Sequence, residues 1–196
     1  MDEKKTFNTQ KLVLLAIFTA IVILLQFLGA LIKFQFSITL ALVPITVGAA
    51  LLGVFSGAWL GFVFGLVVLI SGDANVFLMI NPAATILTVL LKGTLAGFVA
   101  GLVYKLIKNG NKTIAAISAA IACPVVNTGI FIIGCYAFFL PTLSEWGIAS
   151  GAASVTSFIL LGMIGVNFLI EFFISLILGP TISRLIQYRL EAKERS

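Results

Sequence analysis

The chain has 196 residues, of which 61% are hydrophobic and only 10% are charged. A soluble domain carries about 25% charged residues, so this chain lacks the polar surface that a water-soluble fold requires. It has no histidine and only two cysteines, Cys123 and Cys135, which argues against histidine-based catalytic or metal sites and against a disulfide scaffold.

The positive charge is concentrated in a few places. Of the 12 cations, only Lys33 and Lys92 lie away from the two termini and the short loop around residues 105–112. Basic segments next to apolar spans stay on the cytoplasmic side of a membrane. The net charge of +5 therefore indicates membrane orientation and not nucleic-acid binding.

The apolar runs predict an all-α membrane protein, because a bilayer core of about 30 Å requires roughly 20 helical residues. The run 12–32 is longer than the core of a secretory signal, about 7–15 residues, and predicts a retained first helix. Two short helices broken near residues 53–56 place every basic cluster, and both termini, in the cytoplasm. The six predicted transmembrane helices are residues 10–33, 38–53, 56–72, 82–108, 113–140 and 158–188, in one transmembrane domain of residues 1–196.

Three segments then lie on the outer side, at residues 33–37, 71–81 and 141–156. The last is rich in Ser, Gly and Ala and contains Glu145 and Trp146. We predict that it is a loop long enough to move or to cover a site.

Small residues four apart mark faces where helices pack closely in lipid. Two such series, predicted to pack the third and fourth helices, are Gly53, Gly57, Gly61 and Gly65, and Gly93, Gly97 and Gly101. The first helix carries Ala16 and Ala20 at the same spacing. Two interpretations are open for this pair: packing within the chain, or docking of another membrane subunit.

Polar side chains at membrane depth are costly, about 2.5–3.5 kcal/mol each for a charge on insertion scales, and therefore point to a function. Lys92, Asn127, Asn167 and Glu171 all fall inside predicted helices. One interpretation is a buried ion pair between Lys92 and Glu171, completed by the two asparagines. The other is a cavity open to the outside, where the same groups contact a polar solute.

A second group of candidate ligand residues lies nearer the outer surface: Gln35, Asn75, Asn81 and Tyr136. Pockets for small molecules are mostly apolar with a few placed polar groups, which this group would supply. Asn81 has a second interpretation as a helix cap, because it precedes Pro82.

The sequence lacks a phosphate-binding loop, clustered carboxylates for a metal, and a Ser or Cys with a basic partner. We therefore expect no catalytic residues, no metal and no cofactor. Any accumulation of a solute would draw its energy from a partner or an ion gradient.

Several stretches resemble the substrate-binding S component of energy-coupling factor (ECF) vitamin transporters. They are residues 16–20 (AIFTA), residues 42–49 (LVPITVGA) followed by Leu52-Gly53, and residues 57–66 (GAWLGFVFGL). Asn81-Pro82, the cation and the asparagine in the next two helices, and residues 165–171 (GVNFLIE) are similar to pantothenate-type members. The chain departs from that type at Lys92, where the resemblance leads us to expect Arg.

The resemblance implies a multi-pass protein of the bacterial cell membrane that captures a vitamin from outside. Pantothenate is the vitamin that the resemblance favours. It would dock through Ala16 and Ala20 onto a transmembrane coupling subunit that two ATPase subunits drive. The alternatives are another vitamin, such as riboflavin, folate or cobalamin, or a self-sufficient ion-coupled carrier using Lys92 and Glu171. A membrane enzyme ranks last, because few reactive groups are present.

Overall fold

The computed structural model describes residues 3–31 and 40–194, and both ranges are helical apart from short turns. The helices are α1 (Glu3–Leu31), α2 (Leu42–Leu52), α3 (Val54–Ile70), α4 (Asn75–Ile80), α5 (Pro82–Ile107), α6 (Lys112–Phe138), α7 (Leu140–Ala149), α8 (Val155–Ser157) and α9 (Val166–Glu194). A π-helical segment, Phe158–Gly165, joins α8 to α9.

Four stretches are long and apolar enough to cross a membrane: Thr9–Leu31, Pro82–Ile107, Lys112–Phe138 and Val155–Leu185. Two shorter apolar helices, α2 and α3, accompany them. The prediction of an all-α, multi-pass membrane protein is confirmed at this level. The number of crossings and the side of each terminus stay predictions.

Helix α2 lies inside the bundle instead of facing lipid. All of its residues except Leu51 are buried, and its neighbours include α1, α3, α5, α6 and α9. At a rise of 1.5 Å per residue it is only about 16 Å long, roughly half the thickness of a bilayer core. A helix that is apolar all round and shielded by other helices is a core element.

The break between α2 and α3 is a single residue, Gly53, with φ +104°. Only glycine adopts this backbone conformation without strain. A Cβ at Gly53 would meet nothing within 4 Å, so this glycine does not pack against another helix. The prediction that Gly53 packs against another helix, as part of the third-helix series, is therefore wrong. Glycine is required here because the chain turns, not because another helix lies close.

The other glycines of the two series bring α3 and α5 into backbone contact. A Cβ at Gly61 would lie 2.0 Å from the Gly93 carbonyl oxygen, and one at Gly97 would lie 2.0 Å from that of Gly57. Gly65 faces the carbonyl oxygen of Val89 in the same way, with a Cβ distance of 3.0 Å. The predicted packing of these two helices is confirmed.

A proline in α6 is compensated by a serine on α9. Pro124 lacks an N–H, so the Ala120 carbonyl four residues earlier loses its helical partner. The Ser175 hydroxyl donates to that carbonyl at 3.1 Å, and Ser175 is fully buried. This hydrogen bond fixes the position of α9 against the middle of α6.

We expect Ser175→Ala to lower the free energy of unfolding by about 1 kcal/mol, because the Ala120 carbonyl is left unsatisfied in an apolar interior. Thr181→Ala on the same helix is the matched control, since Thr181 is exposed and its hydroxyl donates within its own helix, to Ile177 at 2.7 Å. Denaturation of both variants in detergent checks the difference. Equal effects would contradict the role given to Ser175.

The segment 141–156, predicted to be a loop, is largely helical. Pro141 stands in the first turn of α7, where its missing N–H costs nothing. Leu143 and Gly147 are buried, so one face of α7 packs against the bundle. The Ser-, Gly- and Ala-rich composition fits only the short connection at residues 150–154.

Candidate functional site

The bundle encloses a cavity of about 470 Å³, within the range of roughly 300–1,000 Å³ that small-molecule sites occupy. Its walls come from α1, α3, α4, α5, α6, α7, the π-helical segment and α9. Two residues of the π-helical segment, Met163 and Ile164, belong to the wall. π-Helical turns often occur at functional sites.

Four of the predicted polar residues meet in this cavity. Lys92 from α5, Asn127 from α6, and Asn167 and Glu171 from α9 all line it. Asn167 and Glu171 are one helical turn apart and so share a face of α9. The groups that the sequence places at membrane depth therefore surround one space and do not form a dry cluster.

The Lys92 ammonium lies beside two aromatic rings and in the field of two carboxylates. Its Nζ lies 5.2 Å from the ring centroid of Phe131 and 5.8 Å from that of Phe64, within the range of a cation–π interaction. The carboxylates of Glu171 and Asp73 both attract it electrostatically. Lys92 is part-exposed because it faces the cavity.

The cavity residues that were not predicted from the sequence include Gln26 on α1 and Asp73 in the turn between α3 and α4. The Gln26 amide nitrogen donates to the Asp73 carboxylate at 2.5 Å. The available signal for Gln26 was its isolation as a single amide in a long apolar run. Asp73 carried no comparable signal, since a carboxylate between two helices is ordinary.

Two residues of the cavity wall have a buried side-chain oxygen without a hydrogen-bond partner among the described residues. Gln26 is 2% exposed and Asn127 is 5% exposed. Neither the Gln26 Oε1 nor the Asn127 Oδ1 has a hydrogen-bond partner among the described residues. Buried polar atoms are normally paired, so each unpaired oxygen requires an explanation.

The apolar part of the wall is aromatic and centred on Phe77 of α4. Its ring makes edge contacts with Phe131 (centroid distance 5.7 Å) and Phe139 (5.0 Å), and lies 6.3 Å from Trp146. The short helices α4 and α7, both in segments predicted to lie outside, thus contribute directly to the cavity. The result is a mostly apolar pocket with a few polar groups.

Three other predicted ligand residues, Asn75, Asn81 and Tyr136, do not line this cavity. Asn81 caps α5, its side-chain oxygen accepting from the Ala84 N–H at 3.1 Å. Asn75 is exposed at the start of α4, and the Tyr136 hydroxyl donates to Thr156 Oγ1 at 2.9 Å. Gln35 lies outside the described residues.

The face of α1 that carries Ala16 and Ala20 is open. The buried side of α1 is formed by Phe18, Val22 and Gln26, whereas both alanines are exposed. At 100° per residue, the alanines point away from that buried side. Packing against the described residues therefore does not account for them.

A helical membrane bundle around a mostly apolar cavity with a few polar groups defines a membrane protein that binds a small solute. Residues 10–183 match the model of the family described as ECF transporter, substrate-specific component. The chain belongs to this family. No curated protein matches it.

Membership settles several questions about class. The chain is a subunit of a transporter and not an enzyme, it lies in the cell membrane as a multi-pass protein, and its partners are the ECF module and a small substrate. The S-component prediction is confirmed, and the family gives no indication of which substrate is bound.

Proposed function

We propose that this S component binds pantothenate from outside the cell and delivers it through the ATP-driven ECF module. The observation that carries this proposal is the Lys92 ammonium facing the cavity. It would pair with the carboxylate of the vitamin. The aromatic wall around Phe77 would contact the methyl groups at the other end of the molecule.

The size of the cavity supports a compact vitamin. About 470 Å³ lies in the lower half of the range for small-molecule sites, roughly 300–1,000 Å³. Cobalamin is much larger than such a space. Among the alternatives that the sequence leaves open, the size of the cavity thus argues against cobalamin.

The carboxylates of Asp73 and Glu171 compete with a ligand for the same ammonium. If they engage Lys92 fully, its role is structural and its removal weakens every ligand alike. If Lys92 pairs with the ligand, its removal weakens only ligands that carry a negative charge. A comparison of pantothenate with its neutral alcohol, pantothenol, separates the two roles.

We expect Lys92→Met to weaken pantothenate binding by about 100-fold, the loss of a charge-assisted hydrogen bond of roughly 3 kcal/mol. Pantothenol binding should change by less than about threefold, because that ligand has no charge to pair. Lys92→Arg is the matched control and should keep most of the preference for the acid. Titration calorimetry in detergent measures all three, and equal losses for acid and alcohol would contradict the proposal.

Docking of the ECF module is the second part of the proposal. Ala16 and Ala20 form an open small-residue face on α1, the kind of surface that lets two helices approach closely in lipid. Thr19 between them accepts from the Trp59 indole N–H at 3.3 Å, which ties this part of α1 to α3. With both termini in the cytoplasm, the face would lie in the cytoplasmic half of the membrane.

A further inference from the structure

Two threonines of the cavity wall have hydroxyls without a hydrogen-bond partner in the described ranges 3–31 and 40–194. Thr88 on α5 and Thr128 on α6 are both buried and both line the cavity. Neither hydroxyl oxygen belongs to the fully shielded oxygens, so both reach the surface of the cavity. A threonine inside a helix often donates to the carbonyl four residues earlier, as Thr46 does to Leu42 at 2.9 Å. The hydroxyls of Thr88 and Thr128 can instead bind a solute.

Thr88 and Lys92 share one face of α5. They are four residues apart, and both line the cavity. Side chains on a helix lean toward its N-terminus, so the Lys92 ammonium leans toward the turn that carries Thr88. The ammonium and the hydroxyl are therefore neighbours on the cavity wall.

Helix α6 packs against the same two residues. A Cβ at Gly134 would lie 2.5 Å from Thr88 Cγ2 and 2.8 Å from its hydroxyl oxygen. Three residues earlier on α6, the Phe131 ring centroid lies 5.2 Å from Lys92 Nζ. Any side chain at position 134 would displace the threonine. Gly134 therefore leaves the space that Thr88 occupies beside the ammonium.

A carboxylate group fits two donors placed in this way. Its two oxygens accept several hydrogen bonds, and an ammonium and a hydroxyl both donate them. The carboxylates of Asp73 and Glu171 belong to the same wall, but Thr88 donates to neither of them. The Thr88 hydroxyl is thus left for an acceptor that the solute brings.

We propose that Thr88 is a specificity-determining residue whose hydroxyl binds the acid group of the solute together with the Lys92 ammonium. Gly134 is then a positioning residue that acts through Thr88. This inference deepens the proposed function and rests on it for an acidic solute, but it does not depend on which acid is bound. Thr128 lies on the other side of Phe131 from Gly134, away from the Thr88 turn, and contacts the remainder of the solute.

The test measures the acid preference, defined as the dissociation constant of a neutral probe divided by that of its acid counterpart. It uses the full chain in detergent and three pairs of probes: pantothenol and pantothenate, nicotinamide and nicotinate, and biotin amide and biotin. For the acid that the wild type binds, we expect a preference of at least about 30-fold, because two donors face its carboxylate.

Thr88→Val removes the hydroxyl and keeps a side chain of similar shape. It should lower the acid preference by about 10-fold, the loss of one hydrogen bond to a charged group. Thr88→Ser keeps the hydroxyl and should hold the preference within about threefold of the wild type. Thr94→Val is the matched control, because Thr94 lies on α5 but does not line the cavity, and its preference should stay within about twofold.

Three further variants locate the effect. Gly134→Ala should lower the acid preference about as much as Thr88→Val, although Thr88 itself is kept, because the new Cβ displaces the threonine. Gly129→Ala is its control on the same helix, since a Cβ there would meet nothing within 4 Å. Thr128→Val should weaken the acid and its neutral counterpart alike.

The outcomes separate this inference from the choice of vitamin. Binding of pantothenate with the acid preference intact in Thr88→Val would overturn the inference and leave the proposed function unaffected. A preference for nicotinate or biotin that Thr88→Val removes would support the inference and contradict pantothenate as the substrate. The inference would also be overturned if the wild type preferred none of the three acids, or if Thr128→Val and not Thr88→Val removed the preference.

Discussion

Ala16→Trp and Ala20→Trp should each reduce solute uptake by the assembled transporter more than about 100-fold while leaving solute binding to the isolated chain unchanged. The two alanines are exposed on α1, two residues away from the buried Phe18. An indole at either position would hold a partner helix several ångströms away and remove the close packing on which helix association in lipid depends. Gln26, the α1 residue that lines the cavity, lies six residues beyond Ala20, about 9 Å along the helix axis, and would be undisturbed.

Uptake into proteoliposomes that contain the ECF module and ATP, together with calorimetry on the isolated chain, measures the two properties. Ala137→Trp is the matched control, because Ala137 is an exposed alanine on α6, away from α1. It should keep uptake within about twofold of the wild type. Normal uptake by both α1 variants would mean that the coupling subunit binds elsewhere on the chain.

Much of the fold follows from the bilayer itself. Lipid offers no hydrogen-bond partners, so the backbone N–H and C=O groups of a spanning segment have to pair within the protein. Long apolar runs are therefore helices, and their positions can be read from the sequence. Close packing in lipid likewise depends on small residues, which is why the approach of Gly61 to Gly93 was predictable. The loop prediction for residues 141–156 failed because a proline in the first turn of α7 is compatible with a helix.

The candidate site was predictable only in part. Lys92 and Glu171 are conspicuous because charges are rare at membrane depth. The Gln26–Asp73 hydrogen bond joins residues 47 apart and depends on how α1 sits against the α3–α4 turn, which no local pattern encodes. The aromatic wall was not predicted either, since the cavity-facing Phe77 has no sequence feature that separates it from phenylalanines facing lipid.

The contact between α3 and α5 should be the least tolerant part of the molecule. A Cβ at Gly61 would lie 2.0 Å from the Gly93 carbonyl oxygen, far below any real contact, and the neighbouring atoms are backbone that cannot rotate away. Val89 and Lys92, on the same stretch of α5, line the cavity. Separation of the two helices would therefore disrupt both the bundle and the site.

We expect Gly61→Val to destabilise the fold by more than about 4 kcal/mol and to give little monodisperse protein, and Gly61→Ala to cost about 1–3 kcal/mol. Gly129→Val is the matched control, because a Cβ at Gly129 of α6 would meet nothing within 4 Å. It should change stability by less than about 0.5 kcal/mol, as substitutions in open positions do.

Size-exclusion profiles and thermal unfolding in detergent measure the difference. A stable Gly61→Val protein would show that α3 and α5 can move apart without loss of the bundle, and the backbone contact could then not be what holds Lys92 in place.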